Sequence, residues 1–168
     1  TPLYSSAASD VYKRQPTAGG TANGGVNLMV NDTGTLDLNG LGLAFGGLSG
    51  TGFVTNNAAT ASVLTLNMGR AQNQSFSGVI RDGAGSVGLV KSGIGELTIA
   101  TPVSIGNVVG SNDYSGGTII NAGLIMSADT ASLAPQGVAA NIVQGRLNVA
   151  NPLALGTGPI TLAGGILT

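Results

Sequence analysis

The chain has 168 residues, of which 29 are glycine; 42% are hydrophobic, 4% aromatic and 8% charged, and the formal net charge is −1. That length fits one domain, and so little charge excludes both the basic face that nucleic acid requires and the polybasic patch that an anionic membrane requires. Cysteine and histidine are absent, which removes disulfides, thiolate chemistry and the two commonest nucleophile–base partnerships.

No apolar run approaches the ~20 residues of a membrane-spanning helix. The hydrophobic share argues against disorder. The scarcity of rings argues for stacked aliphatic strands rather than a conventional globular core, which draws much of its buried area from Phe, Tyr and Trp.

The N-terminal stretch Ser5 to Gln15, SSAASDVYKRQ, resembles the translation of a transposase adapter used in preparing sequencing libraries. Residues 1–15 are therefore set aside as a non-native or disordered leader. No export signal is recognisable there, and the adapter-like stretch implies that the native N-terminus lies outside this sequence.

From Pro16 the chain reads as short strands separated by turn clusters, with no stretch at the 3.6-residue spacing of a helix. Strands are expected at Val26 to Val30, Thr35 to Leu38, Leu41 to Phe45, Phe53 to Thr55, Val63 to Asn67 and Phe76 to Ile80. Asn39-Gly40 is a turn signal, and Gly46 to Gly52 is expected as a turn region. Further strands are expected at Gly88 to Val90, Leu97 to Ile99, Thr118 to Ile120 and Leu124 to Met126. The last three pieces are Gly145 to Ala150, Pro159 to Ala163 and Gly165 onward. Lys91-Ser92-Gly93 and Gly116-Gly117 are expected as turns.

A submotif recurs along this path: glycine, any residue, leucine, any residue, aliphatic. It stands at Gly34-Leu36-Leu38, Gly95-Leu97-Ile99 and Gly145-Leu147-Val149, and in part at Gly165-Leu167. Its intervals are irregular, as in a degenerate solenoid repeat. Each rung of a solenoid has an apolar side that only its neighbours can cover. At ~20–25 residues per rung, Pro16 to Thr168 would supply roughly six or seven rungs.

Val87 to Ala128 resembles the passenger-associated transport repeat, also called the autotransporter-associated β-strand repeat. The residues that carry the resemblance are Leu89, Lys91, Gly93, Gly95, Leu97 and Ile99, followed by Tyr114, Gly116, Gly117, Thr118 and Gly123. TLDLNG at 35–40, GGLSGTG at 46–52, FSGVIRDG at 76–83 and ALGTGPITL at 154–162 resemble its flanks. The chain departs from the pattern in its longer loop, Ala100 to Asp113, and in having Leu124 directly after Gly123. It also has Glu96 where the repeat has threonine.

The resemblance implies an all-β fold, a right-handed parallel β-helix, in a secreted or surface-displayed autotransporter passenger of Gram-negative bacteria. It further implies a monomeric structural stalk, without cofactor or metal, that supports export and display. Membrane contact would come only through a C-terminal barrel domain outside this sequence. The alternative is an adhesin-type module that binds a host surface protein or glycan through the solenoid face or the 100–113 loop. The end at Thr168 reads as mid-strand, so exposed end rungs and edge-to-edge association of the isolated fragment are expected.

An enzyme is the disfavoured reading. The acids Asp32, Asp37, Asp82, Glu96, Asp113 and Asp129 are scattered, and no pair is spaced for acid–base work. Asp32 and Asp37 are expected on turns or the solvent face, and Arg81-Asp82 as a surface ion pair. Asp113 is expected in a turn and Tyr114 partly buried. GAGSVG at 83–88 lacks the Lys-Ser/Thr of a phosphate loop and reads as a corner. The calcium-binding nonapeptide pattern is absent.

Overall fold

Alternation of side chains decides where strands form. Along Ser62–Asn67, Ser62, Leu64 and Leu66 are buried while Val63 and Asn67 are exposed, the period of two that a pleated strand imposes. The computed structural model describes residues 13–14, 26–69, 72–100, 112–122, 124–127, 140–142, 146–149, 160–162 and 166–168. Among these residues there is no helix.

Lys13–Arg14 form β1, inside the adapter-like stretch. Three coils of three strands follow. The first is β2 (Asn27–Val30), β3 (Thr35–Asp37) and β4 (Leu43–Phe45). The second is β5 (Gly47–Gly50), β6 (Phe53–Thr55) and β7 (Ser62–Asn67). The third is β8 (Asn73–Phe76), β9 (Val79–Ile80) and β10 (Val87–Ser92). The chain continues through β11 (Glu96–Ile99), β12 (Thr118–Ile120), β13 (Leu124–Ser127) and β14 (Ala140–Ile142), then β15 (Arg146–Val149), β16 (Ile160–Leu162) and β17 (Ile166–Leu167).

These strands make three walls. A four-stranded wall runs β1-β3-β6-β9, a six-stranded wall β16-β14-β12-β10-β7-β4, and a seven-stranded wall β17-β15-β13-β11-β8-β5-β2. Every strand pair among the described residues is parallel. Consecutive strands belong to different walls, and each strand pairs with the equivalent strand one coil away. The architecture is a parallel β-solenoid.

One apolar core fills it. Leu36 of β3, Leu64 of β7 and Leu97 of β11 come from three different walls and belong to the same buried cluster. At ~25 cal/mol per Å², burial of these aliphatic side chains is the main stabilising term. No coil could achieve it without its neighbours.

The recurring Gly-x-Leu submotif therefore marks two different walls. Leu97, Ile125, Leu147 and Leu167 stand in one register column of the seven-stranded wall. Leu36 lines up instead with Val54 and Ile80 in the four-stranded wall. That difference accounts for the irregular intervals.

Several local expectations need correction. Gly47–Gly50 is a strand, not a turn, because Leu48 fills the core at 0% exposure. The piece expected as Phe76 to Ile80 is two strands in two walls. Its break falls at Gly78, where a Cβ would lie 2.1 Å from the Gly52 carbonyl oxygen. Lys91 and Ser92 lie within β10, so the turn starts only at Gly93.

Gly93 has φ +73, and a Cβ there would lie 2.1 Å from the Met68 carbonyl oxygen. Both terms oppose a side chain. Left-handed backbone costs about 1–2 kcal/mol for a non-glycine residue, and overpacking against backbone costs about 1–3 kcal/mol. Gly93→Ala is thus expected to destabilise the fold by roughly 3 kcal/mol, read as a lower urea midpoint. An unchanged midpoint would show that this corner can relax.

Candidate functional site

The motif residues converge on two corners rather than on a cleft. At the first, Leu89 and Lys91 occupy inward positions of β10 and are 1% and 0% exposed. The Lys91 stem stands in register between Leu66 and Ile120. Its amine donates to the carbonyl oxygens of Ser92 (3.2 Å), Gly93 (2.8 Å) and Ala122 (3.2 Å).

Two of these acceptors belong to Lys91's own turn, and the third belongs to the next coil. They converge because the chain turns sharply there from the six-stranded into the seven-stranded wall; the Ser92 carbonyl also accepts from Met68 N at 3.0 Å. Burial pulls the amine down from 10.5 to about 8, since desolvation disfavours the charged form.

The second corner holds Tyr114, which is 0% exposed, so the expected partial burial is corrected to complete burial. Its hydroxyl lies 2.6 Å from Thr118 Oγ1, and burial pushes the phenol up from its ordinary value. What lets the ring inside is close backbone approach. A Cβ on Gly116 would meet the Val87 carbonyl oxygen at 2.5 Å and Gly88 N at 2.6 Å. Without it, Gly116 N donates to the Val87 carbonyl and Leu89 N to the Gly117 carbonyl, each at 2.9 Å. Gly123 lies outside the described residues.

The acids do not assemble a reaction centre. Asp37 is 0% exposed, not on the solvent face as expected. Its Oδ1 accepts from the amides of Asn39 and Asn57, and its Oδ2 from Asn57 Nδ2, each at 3.0 Å. These donors compensate the cost of burying a carboxylate. Asp32 is exposed with φ 52, so Asp32 and Asp37 do not share a setting.

Asp82 is also not in the expected ion pair. Its Oδ1 accepts from Val87 N (2.7 Å) and Ser115 N (3.1 Å), and its Oδ2 from Ser115 N (3.0 Å). Arg81 instead lies over the Phe53 ring, 5.0 Å from its centre, a cation–π contact. Asp113 forms a parallel bridge with Arg81. Burial first and the Asp82 charge second hold its carboxyl above the usual range, against the pull of Arg81. Glu96 is half-buried. Asp129 and residues 101–111 of the long loop lie outside the described residues.

Sequence reasoning missed Asn56, which is 0% exposed. Its Nδ2 donates to the carbonyls of Thr60 (2.7 Å) and Ser86 (3.1 Å), while its Oδ1 accepts from Gly40 N (2.8 Å) and Ala58 N (3.3 Å). The available signal was positional. Asp37, Asn56 and Asp82 each stand at or just past the end of a strand of the four-stranded wall, where a corner leaves amides to satisfy.

Among the described residues no group of three or more His, Cys, Asp or Glu could hold a metal ion. A groove of about 580 Å³ lies beside β2 and β3, with Leu28, Leu36 and Phe45 in its lining and Asp32 as a charged member. No helix among the described residues is long and apolar enough to cross a membrane.

No known protein family, curated protein or solved structure matches the chain. What the arrangement does chemically is therefore read from its geometry. Asp37, Asn56 and Lys91 satisfy backbone groups at coil corners, each with a partner on a neighbouring coil.

Proposed function

We propose that the chain is a structural stalk segment of a secreted or surface-displayed autotransporter passenger of Gram-negative bacteria, in which 87–128 supports export and display. The observation that carries this reading is the Lys91 amine, which joins its own turn to Ala122 of the following coil. Of the residues that mark the repeat, Leu89, Lys91, Gly95, Leu97, Ile99, Tyr114 and Thr118 are buried, as a scaffold requires. On this reading the chain performs no catalysis.

Right-handed winding and six or seven rungs belong to the same proposal. The near-universal handedness of parallel crossovers supports the first, and the seven-stranded wall supports the second. A solenoid grows by adding a coil to a folded template, and such growth outside the membrane would bias an emerging chain against sliding back. The test is deletion of 87–128 from a longer parent protein, with surface display measured by antibody labelling of intact cells. Loss of display is expected, and unchanged display would defeat the export role.

A second reading, as an adhesin-type module, rests on the outer side of the seven-stranded wall. There Asn73 pairs in register with Glu96 and Ser75 with Thr98, all outside the core. A glycan array separates the two readings, because a pure stalk binds nothing on it.

A further inference from the structure

We propose that Asn39 is a deamidation site that the buried Asn56 side chain keeps shut. Asn39-Gly40 lies between β3 and β4, where the chain passes from the four-stranded into the six-stranded wall. Asn39 has φ 49 and Gly40 φ 77, and Leu41 N donates to the Leu38 carbonyl at 3.0 Å. A tight turn with positive φ at both central residues favours Asn-Gly over most other pairs.

A side chain is excluded at 40. A Cβ there would press on Thr60 Oγ1 and lie 3.1 Å from Ala58 Cβ, and the backbone is left-handed. The corner therefore requires a dipeptide that cyclises readily, because glycine puts no side chain in the way of its own nitrogen. In that reaction the Gly40 nitrogen gives its proton to water and attacks Asn39 Cγ. The Cγ–Nδ2 bond breaks, ammonia leaves with a proton from water, and a five-membered imide remains. Water then opens the ring to aspartate or isoaspartate. Asn39 is exposed, so solvent reaches the reacting side chain.

What the fold withholds is the nitrogen. Gly40 N donates to Asn56 Oδ1 at 2.8 Å. Asn56 is 0% exposed and is fixed in turn by its bonds to the Thr60 and Ser86 carbonyls. The amides on either side are held as well, Asn39 N by Asp37 Oδ1 at 3.0 Å and Leu41 N by the Leu38 carbonyl. Bringing the Gly40 nitrogen onto Asn39 Cγ means reaching a near-attack geometry, and that breaks the buried bond to Asn56. Modification therefore waits on opening of this corner. The inference does not rest on the stalk reading, and its test is separate from the display assay.

The test follows deamidation at Asn39 by peptide mapping and mass spectrometry on the 168-residue chain, folded and in guanidinium chloride. The folded chain is expected to react roughly tenfold or more slowly, because the rate falls with the fraction of time the corner is open. Hydrogen exchange at the Gly40 amide needs the same opening and is expected to be slowed by a matching factor. That comparison uses the unsubstituted chain, so it decides the matter even if Asn56 variants fail to fold. Asn56→Ala, with its fold checked by circular dichroism, is expected to lose the protection, while Gly93→Ala, weakened at a different corner, keeps it. Equal rates in the folded and unfolded chain would overturn the proposal. So would a freely exchanging Gly40 amide beside a protected Asn39, or an equal gain in rate for the two variants.

Discussion

Lys91→Ala is expected to lower the folding free energy by about 3 kcal/mol, and Lys91→Met by roughly half of that. The two substitutions separate the parts of the Lys91 contribution. Alanine removes the stem that stands between Leu66 and Ile120, at ~0.8 kcal/mol per buried methylene. It also removes the donor from three carbonyls. Methionine keeps most of the stem and loses only the donor.

Both variants gain something back, because a charged amine is costly to bury, which is why neither loss reaches the sum of three charge-assisted hydrogen bonds. Urea midpoints at neutral pH would measure the difference. Equal losses for the two variants would mean that the stem contributes nothing.

The same residue imposes a pH dependence whose sign is fixed by the direction of its shift. In the folded chain the Lys91 amine sits near 8, against 10.5 in an unfolded chain. Between those values the unfolded state binds more protons, so the Lys91 contribution to stability rises with pH; below 8 it is flat. Burial raises the Tyr114 phenol above its ordinary 10.0, so that group works the other way. Above pH 10 the unfolded chain loses its phenolic proton first, and stability falls. A stability–pH curve is expected to climb from pH 8 and then bend over, and Lys91→Met should abolish the climb.

Tyr114→Ala is expected to cost about 3–5 kcal/mol, the range for removing a large buried ring. Tyr114→Phe should cost only about 1 kcal/mol, for the hydrogen bond with Thr118. The ring is 0% exposed and belongs to the single core cluster, so its loss leaves a cavity where residues 112–122 dock on β10. If phenylalanine were as damaging as alanine, the hydroxyl rather than the ring would be what holds this corner. Denaturant titration of both variants distinguishes the cases.

Much of the architecture was legible because its signals are local. The alternation in SVLTLN and ELTI, the left-handed turn at Asn39 and Gly40 (φ 49 and 77), and the lack of any helical period depend only on near neighbours in the chain. The expected strands at Phe53–Thr55 and Thr118–Ile120 have the same bounds in the structure. Gly47–Gly50 was not legible, because glycine disfavours strands on its own account. Only the neighbouring coil, through pairs such as Asn27–Gly47 and Leu28–Leu48, makes that segment a strand.

The motif residues show the same division. Lys91 carries the label of a surface residue, and nothing local marks it for the core. It is buried because three carbonyls, one of them 31 residues away on another coil, surround its amine. Asp37 and Asp82 read as solvent-facing acids until coil stacking brings Asn57 and Ser115 to their carboxylates.

Sequence alone therefore determined that this protein is all-β, aliphatic and built from short strands with glycine-rich turns, since those properties follow from side-chain period and backbone preference. Only the tertiary structure decided which wall each strand joins and which polar residues turn inward. The burial of a lysine or an aspartate depends on partners that arrive one coil later, at separations that no local pattern encodes.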